Sequence, residues 1–228
     1  MNAELWADMA PQLLPAFWTT IKLTFWAALG SLIFGIILTA MRVSPVSILR
    51  TIATVYINIT RNTPLTLIVL FASLGLYVNL DITLAPDGPN FTTQNNFNLA
   101  VLAFIIYTSS FVAESLRSGI NTVPFGQAEA GRSLGLTFMQ SFRNIIFPQA
   151  LRGAIVPLGN TLIALTKNTT IASVIGVAEA SLLMKSSVED HADQVFVIFG
   201  IIALGFMIIT LPTGLIFGAL SKRLAVKR

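Results

Sequence analysis

The sequence predicts an all-α integral membrane protein with five transmembrane helices. Three observations lead to this fold class: a low charge content, five long apolar stretches, and basic residues concentrated in alternate loops. Apolar residues make up 54% and charged residues 11% of the 228 residues, whereas a typical soluble domain carries about 25% charged residues. Because so little charge cannot cover a soluble globule of this length, soluble enzymes and disordered proteins are excluded.

Five apolar stretches are long enough, with their interfacial residues, to cross about 30 Å of hydrocarbon. Such runs favour helices, because the strands of a membrane barrel are short and alternate in polarity. In this single transmembrane domain, 1–228, the predicted spans are 17–41, 63–78, 97–113, 153–178 and 195–220, with a cytoplasmic loop at 114–152. Between residues 48 and 59, apolar residues at helical spacing predict an additional amphipathic helix.

Basic residues are unevenly distributed between the connecting segments. The loop after the first span holds three, the loop after the third span four and the C-terminal tail four, so eleven of 14 lie on one side. The positive-inside rule therefore predicts a cytoplasmic C-terminus and an external N-terminus. This bias accounts for the net charge of +4, so no nucleic-acid partner is indicated. Glu114 and Arg117, at the inner end of the third span, are expected to form an ion pair.

The loop between the third and fourth spans is predicted to fold as a helix, a glycine turn and a second helix. Pro124 suits a first helical turn, and Gly135 is a candidate C-terminal cap. Thr137 with Gln140 matches a capping box that opens the second helix, which is expected to end near Pro148. Such a hairpin is either a simple amphipathic surface element or a structure that a soluble partner grips.

Motifs in and around this loop resemble those of ABC-importer permeases for polar amino acids. The family's cytoplasmic loop has the pattern Glu-Ala-Ala, three residues, Gly, nine residues, Ile, one residue, Leu-Pro. The matching residues, with Gly for the second Ala and Phe for Leu, are Glu129, Ala130, Gly131, Gly135, Ile145, Phe147 and Pro148. Residues 61–65 and 167–171 are similar to the family's Arg-Gly-Thr-Pro-Leu and Lys-Asp-Thr-Ser-Leu segments. The motifs look closest to the permease subunits of glutamate-type importers.

The resemblance implies a transport subunit of the bacterial cytoplasmic membrane, not an enzyme. It implies that the loop docks on a cytoplasmic ATPase dimer, that a second permease subunit, identical or paralogous, completes the pathway, and that an extracytoplasmic solute-binding protein delivers the amino acid. The chain has no Gly-x-x-x-x-Gly-Lys-Ser/Thr motif for binding nucleotide phosphates. ATP and Mg are therefore expected to bind to the ATPase, and this chain is expected to bind no cofactor. With no Cys and one His, thiolate and all-histidine metal sites are excluded. A self-sufficient secondary transporter or channel remains the alternative.

A polar patch interrupts the fourth span at Lys167, Asn168, Thr169 and Thr170. At 1.5 Å per residue, Lys167 lies roughly 21 Å from the start of that span, where an ammonium costs at least about 2.5–3.5 kcal/mol. Two interpretations are open: the patch lines the substrate path, or it packs between helices with the lysine extended towards the interface. As a substrate site, the patch favours an anionic amino acid. Arg61 is either a second cation on this path or an interface anchor.

Overall fold

The computed structural model describes residues Ala3–Leu224, and within that range every regular element is a helix. The α-helices are α1 (Ala3–Val43), α2 (Ser47–Asn62), α3 (Leu65–Leu70), α4 (Phe91–Ile120), α5 (Phe125–Ser133), α6 (Phe138–Ser141), α7 (Phe147–Asn168), α8 (Ala180–Asp190) and α9 (Val195–Leu224). Wider π-helical turns form at Phe71–Asn79 and Phe142–Ile146, and tighter 3-10 helices form at Thr169–Ile175 and Ala192–Gln194.

Several of the described helices are long and apolar enough to cross a membrane. Three qualify on their own: Glu4–Val43, Phe91–Ile120 and Ala192–Leu224. The number rises to five if each of two bent pairs is one span, namely Ser47–Asn62 with Leu65–Asn79 and Phe138–Ile175 with Ala180–Asp190. The predicted all-helical membrane architecture is therefore confirmed, with three to five candidate spans.

The chain divides into two compact units. The first unit comprises the described part of Met1–Ala28, then Thr63–Ile105 and Ala164–Pro212. The second unit comprises Leu29–Asn62, Ile106–Ile163 and the described part of Thr213–Arg228. Each unit has a cluster of buried apolar side chains of its own.

In the first unit, the beginning of α1 packs against α8 and α9. The buried side chains of this cluster include Leu5, Met9, Leu183, Ile198 and Ile202. Their burial explains why α1 begins well before the predicted span at residue 17, although the early segment carries charge and contains two prolines. Burial removes the apolar surface of these side chains from water or from the membrane interface. This stabilises the part of α1 that precedes residue 17.

In the second unit, α2 is held against α1 and α4 by one of its faces. Leu38, Ala53, Ile57 and Ala113 form a buried cluster, and the Tyr56 hydroxyl donates to the Ile106 carbonyl oxygen at 2.8 Å. The opposite face of α2 is an exposed apolar stripe formed by Ile48, Ile52, Val55 and Ile59. This distribution confirms the amphipathic helix predicted before Arg61.

The prediction that the second loop helix ends near Pro148 is wrong. Helical structure continues without a break from Phe138 to Asn168, passing from α6 through the π-helical turn Phe142–Ile146 into α7. Proline normally disrupts a helix because it lacks an N–H and its ring contacts the carbonyl one turn earlier. Here the wide π turn immediately before Pro148 displaces those carbonyls, so the helix continues past the proline.

Candidate coupling loop and substrate path

The glycine turn and the capping box of the loop form as predicted. Gly135 has φ +76°, which glycine adopts without strain, and the Leu136 N–H donates to the Gly131 carbonyl at 3.1 Å, closing the end of α5. The Thr137 hydroxyl accepts from the Gln140 N–H at 3.3 Å, while the Gln140 side-chain oxygen accepts from the Thr137 N–H at 2.9 Å. Local sequence therefore sets the geometry of the turn.

Gly131, which departs from the family pattern, has a packing role in this structure. A Cβ at this position would lie 2.9 Å from the Ser141 Oγ and 3.2 Å from the Ile145 Cδ1. Gly131 is buried, so α5 approaches α6 and the π turn more closely than an alanine allows without adjustment. The substitution of Gly for Ala is thus compensated by the size and position of the residues that face it.

A close helix crossing forms the base of the loop. A Cβ at Gly119 in α4 would overlap the Ala150 carbonyl oxygen and lie 3.0 Å from the Ala154 Cβ in α7. A Cβ at Gly153 would lie 2.6 Å from the Thr122 Oγ1 and 3.2 Å from the Gly119 Cα. The backbones of α4 and α7 are therefore in direct contact at the two ends of the loop, and the hairpin between them is anchored to both helices.

The predicted coupling residues divide between surface and packed positions. Exposed are Glu129, Ala130, Gly135 and Pro148, whereas Gly131 is buried and Ile145 half-buried. Sequence reasoning missed two apolar side chains on the same hairpin: Phe125 is 93% and Leu134 79% exposed. The sequence feature that could have identified them is their position at the two ends of α5. Phe125 directly follows Pro124 and Leu134 directly precedes Gly135, and side chains at helix ends often point outward.

Glu114 is the centre of an ion-pair cluster in the second unit. Its carboxylate pairs with Arg117 at 2.9 Å, as predicted, and also with Arg42 and, at 3.6 Å, with Arg61. The Arg61 guanidinium also lies 5.5 Å from the centroid of the Phe111 ring. The contacts of Arg42 and Arg61 join residues distant in the sequence, so periodicity alone did not reveal them. The Arg61 charge is thus engaged at the end of α2.

In the first unit, the polar patch lies where α7 changes into a 3-10 helix. The α-helix ends at Asn168, and the Thr169 and Thr170 hydroxyls each donate to a carbonyl three residues earlier, at 2.8 Å. Thr169 is buried and Asn168 half-buried, whereas Lys167 is exposed. Within the described residues, the Lys167 ammonium has neither an ion pair nor a side-chain hydrogen bond. Serine and threonine hydroxyls that bond back to the backbone commonly accompany local distortion of a helix.

The helix break between Gly176 and the start of α8 is stabilised by polar contacts. The 3-10 helix ends at Gly176, with φ +77°, and the Asn96 side chain donates to the Ile175 carbonyl at 2.8 Å. The buried Glu179 carboxylate caps α8 by accepting from two backbone N–H groups at 2.8 and 3.0 Å. Lys185 donates to the Ser173 hydroxyl at 2.7 Å. The Ile175 carbonyl and the first two N–H groups of α8 therefore find partners within the protein, as polar backbone groups in a span require.

Comparison with known proteins gives one consistent answer. Residues 31–226 match the family described as binding-protein-dependent transport system inner membrane component. The chain belongs to this family. It is 71% identical to the glutamate transport system permease protein GluC of Corynebacterium glutamicum, over 99% of this chain and 100% of that protein. It is also 34% identical to the probable glutamine ABC transporter permease protein GlnM of Bacillus subtilis, over 98% of each chain.

Solved structures agree with the family. The structure of an amino acid ABC transporter with histidines superposes with a TM-score of 0.81 at 29% identity, covering 98% of this chain and 99% of that one. This member of the inner-membrane-component family therefore has a transport role in a membrane assembly. No group of three or more His, Cys, Asp and Glu side chains that could hold a metal ion occurs between Ala3 and Leu224.

Proposed function

We propose that the chain is the membrane-spanning subunit of an ATP-driven importer of glutamate. The observation that carries this proposal is the 71% identity, over nearly the whole chain, to a permease named for glutamate transport. The composition of the polar patch supports it, because Lys167 has no acidic neighbour in the patch and position 168 is a neutral Asn. An uncompensated cation in a span favours a ligand that carries negative charge.

The proposed orientation has five spans, with the N-terminus outside and the C-terminus in the cytoplasm. Each bent helix pair then counts as one span, and the basic loops lie on the cytoplasmic side. The hairpin of α5 and α6 faces the cytoplasm in this arrangement. Its exposed Phe125 and Leu134 side chains offer apolar surface beside the exposed Glu129, and a soluble ATPase would cover that surface on docking.

ATP hydrolysis on the partner is proposed to reach the membrane through the loop base. The crossing of Gly119 with Ala150 and Gly153 leaves little space for sliding, so a displacement of the hairpin moves α4 and α7 together. Two permease subunits and an external solute-binding protein complete the assembly, with substrate passing by alternating access between them.

The decisive experiment is uptake of labelled glutamate by proteoliposomes that contain the co-expressed transporter, with ATP enclosed on the ATPase side. We expect uptake that requires ATP and the solute-binding protein, and none from this chain alone. Uptake by this chain alone, driven by an ion gradient, would instead establish the secondary transporter. Replacing Glu129 with Lys tests the docking surface: ATPase co-purification and uptake should both fall, whereas the exposed Glu189→Lys, outside the hairpin, should change neither.

A further inference from the structure

A cavity of about 530 Å³ in the first unit lies outside the polar patch described above. It opens between α1, the beginning of α4 and the segment that follows the 3-10 helix Thr169–Ile175. Its polar lining includes Lys22, Asn90, Thr93 and Gln94, and its walls include the rings of Trp26 and Phe97. Cavities of this size, with a few convergent polar groups on an apolar wall, are typical of small-molecule sites.

The charge in this cavity is uncompensated. The Lys22 ammonium lies 5.9 Å from the centroid of the Phe97 ring, and none of the described residues that line the cavity is Asp or Glu. Across the described part of the chain, Lys22 has no ion pair and no hydrogen bond. A cation over a ring gains only about 0.5–2 kcal/mol, so this ammonium retains its capacity to bind an anion.

Further hydrogen-bond donors line the same cavity. Between Ala3 and Leu224, the side chains of Asn90, Thr93 and Gln94 have no hydrogen-bond partner in the protein. Two amides and a hydroxyl can each donate to a carboxylate oxygen, and bonds from a charged donor are the strong ones. Among the described lining residues, one free cation and three free donors without an acid favour a small anionic ligand.

The cavity is directly connected to the broken fourth span. Val177 and Ala178, the two residues that follow Gly176, belong to its lining. Asn96, one helical position before Phe97, donates to the Ile175 carbonyl at the end of the 3-10 helix. A ligand in the cavity would therefore lie against Val177 and Ala178, which follow the break, and against Phe97, the residue next to Asn96. In the proposed orientation, the cavity lies at the external end, because α4 begins directly after the external loop.

We propose that this cavity is an outer subsite that binds the carboxylate of an acidic amino acid before it reaches the Lys167 patch. The choice of an amino acid rests on the proposed function, whereas the choice of an anion rests on Lys22 and its neighbours. A lipid phosphate has the same anionic chemistry. The cavity favours the amino acid because two amides and a hydroxyl line it together with one cation, a set of donors that suits a compact carboxylate.

Trp26 provides a local reporter, because it lies in the cavity wall and the chain has only 3 Trp. The experiment uses the co-expressed transporter with partner subunits that contain no tryptophan. In this chain, Trp6→Phe and Trp18→Phe leave Trp26 as the tryptophan fluorophore. Glutamate and, for comparison, glutamine are each titrated into the transporter in nanodiscs of phosphatidylcholine. We expect a saturable change in Trp26 emission with glutamate, and an affinity for glutamine that is lower by about 10- to 100-fold.

Variants separate this subsite from the patch. Lys22→Met and, as a second variant of conserved shape, Gln94→Glu should each weaken the glutamate response at Trp26 by about 10-fold or more. Both side chains are exposed, so monodisperse protein is expected, and Lys167→Met should preserve the response. A Trp26 response that is equal in wild type and in both cavity variants overturns the subsite.

Further outcomes keep the two proposals apart. Normal ATP-driven glutamate uptake without any Trp26 response would overturn the subsite and leave the proposed function intact. A Trp26 response without uptake would support the anion site and count against the importer. If Trp26 responds to replacement of phosphatidylcholine by phosphatidylglycerol and not to glutamate, the cavity holds a lipid phosphate, and the amino-acid assignment is wrong.

Discussion

Gly119→Ala is the most direct test of the idea that the loop base transmits motion. The new Cβ would lie 3.0 Å from both the Ala150 carbonyl carbon and the Ala154 Cβ, and it would overlap the Ala150 oxygen. Carbon atoms pack best about 3.5–4.0 Å apart. The helices must therefore separate by at least about 0.5–1 Å, because the obstacle is backbone and cannot rotate away.

The magnitude follows from this separation. A gap of about 0.5–1 Å forfeits a quarter to a half of the dispersion energy of each lining contact, and overpacking typically costs about 1–3 kcal/mol. Alanine regains at most about 1 kcal/mol of helix propensity over glycine. We therefore expect a net loss of up to about 2 kcal/mol in stability. We also expect a lower ratio of uptake to ATP hydrolysed.

Gly126→Ala is the matched control, because it is the same substitution in the same loop and its Cβ would meet no atom of the described residues within 4 Å. It should be neutral or slightly stabilising, by up to about 1 kcal/mol. Thermal unfolding of the purified transporter and the ratio of glutamate uptake to ATP hydrolysis measure both effects. Equal stability and equal ratios for the two variants would refute the argument that the crossing at Gly119 constrains the loop.

Three further predictions concern the other sites. Lys167→Met should assemble and co-purify with the ATPase as wild type does, whereas glutamate uptake at subsaturating substrate should fall roughly 10- to 150-fold; failed assembly would favour the packing interpretation. Phe125→Ser with Leu134→Ser should reduce ATPase co-purification without altering thermal stability, since both side chains are exposed; unchanged co-purification would exclude them from the docking surface. Glu114→Gln should lower stability by about 1 kcal/mol, less so at high salt because the arginines are partly exposed; Glu129→Gln, at an exposed carboxylate, is the control, and a loss independent of salt would contradict an ionic origin.

Local chemistry determined the features that the sequence predicted correctly. Apolar run length predicted the membrane fold, and the hairpin turn followed from Gly135 and from the Thr137–Gln140 pair, because caps depend on neighbours within three or four residues. The amphipathic pattern of α2 likewise needs only periodicity. The motif of the loop, which spans twenty residues in this chain, sufficed to indicate the family.

Contacts between distant residues were decided only by the tertiary structure. Arg42 and Glu114 are 72 positions apart, and Gly119 meets Ala150 across a helix crossing, so no local pattern contains either pair. Helix continuation past Pro148 depended on a π turn, which propensity does not encode. Sequence shows which side chains are apolar, charged or small; the approach of two helices decides which of them meet, because packing selects a single arrangement from many that the same local preferences allow.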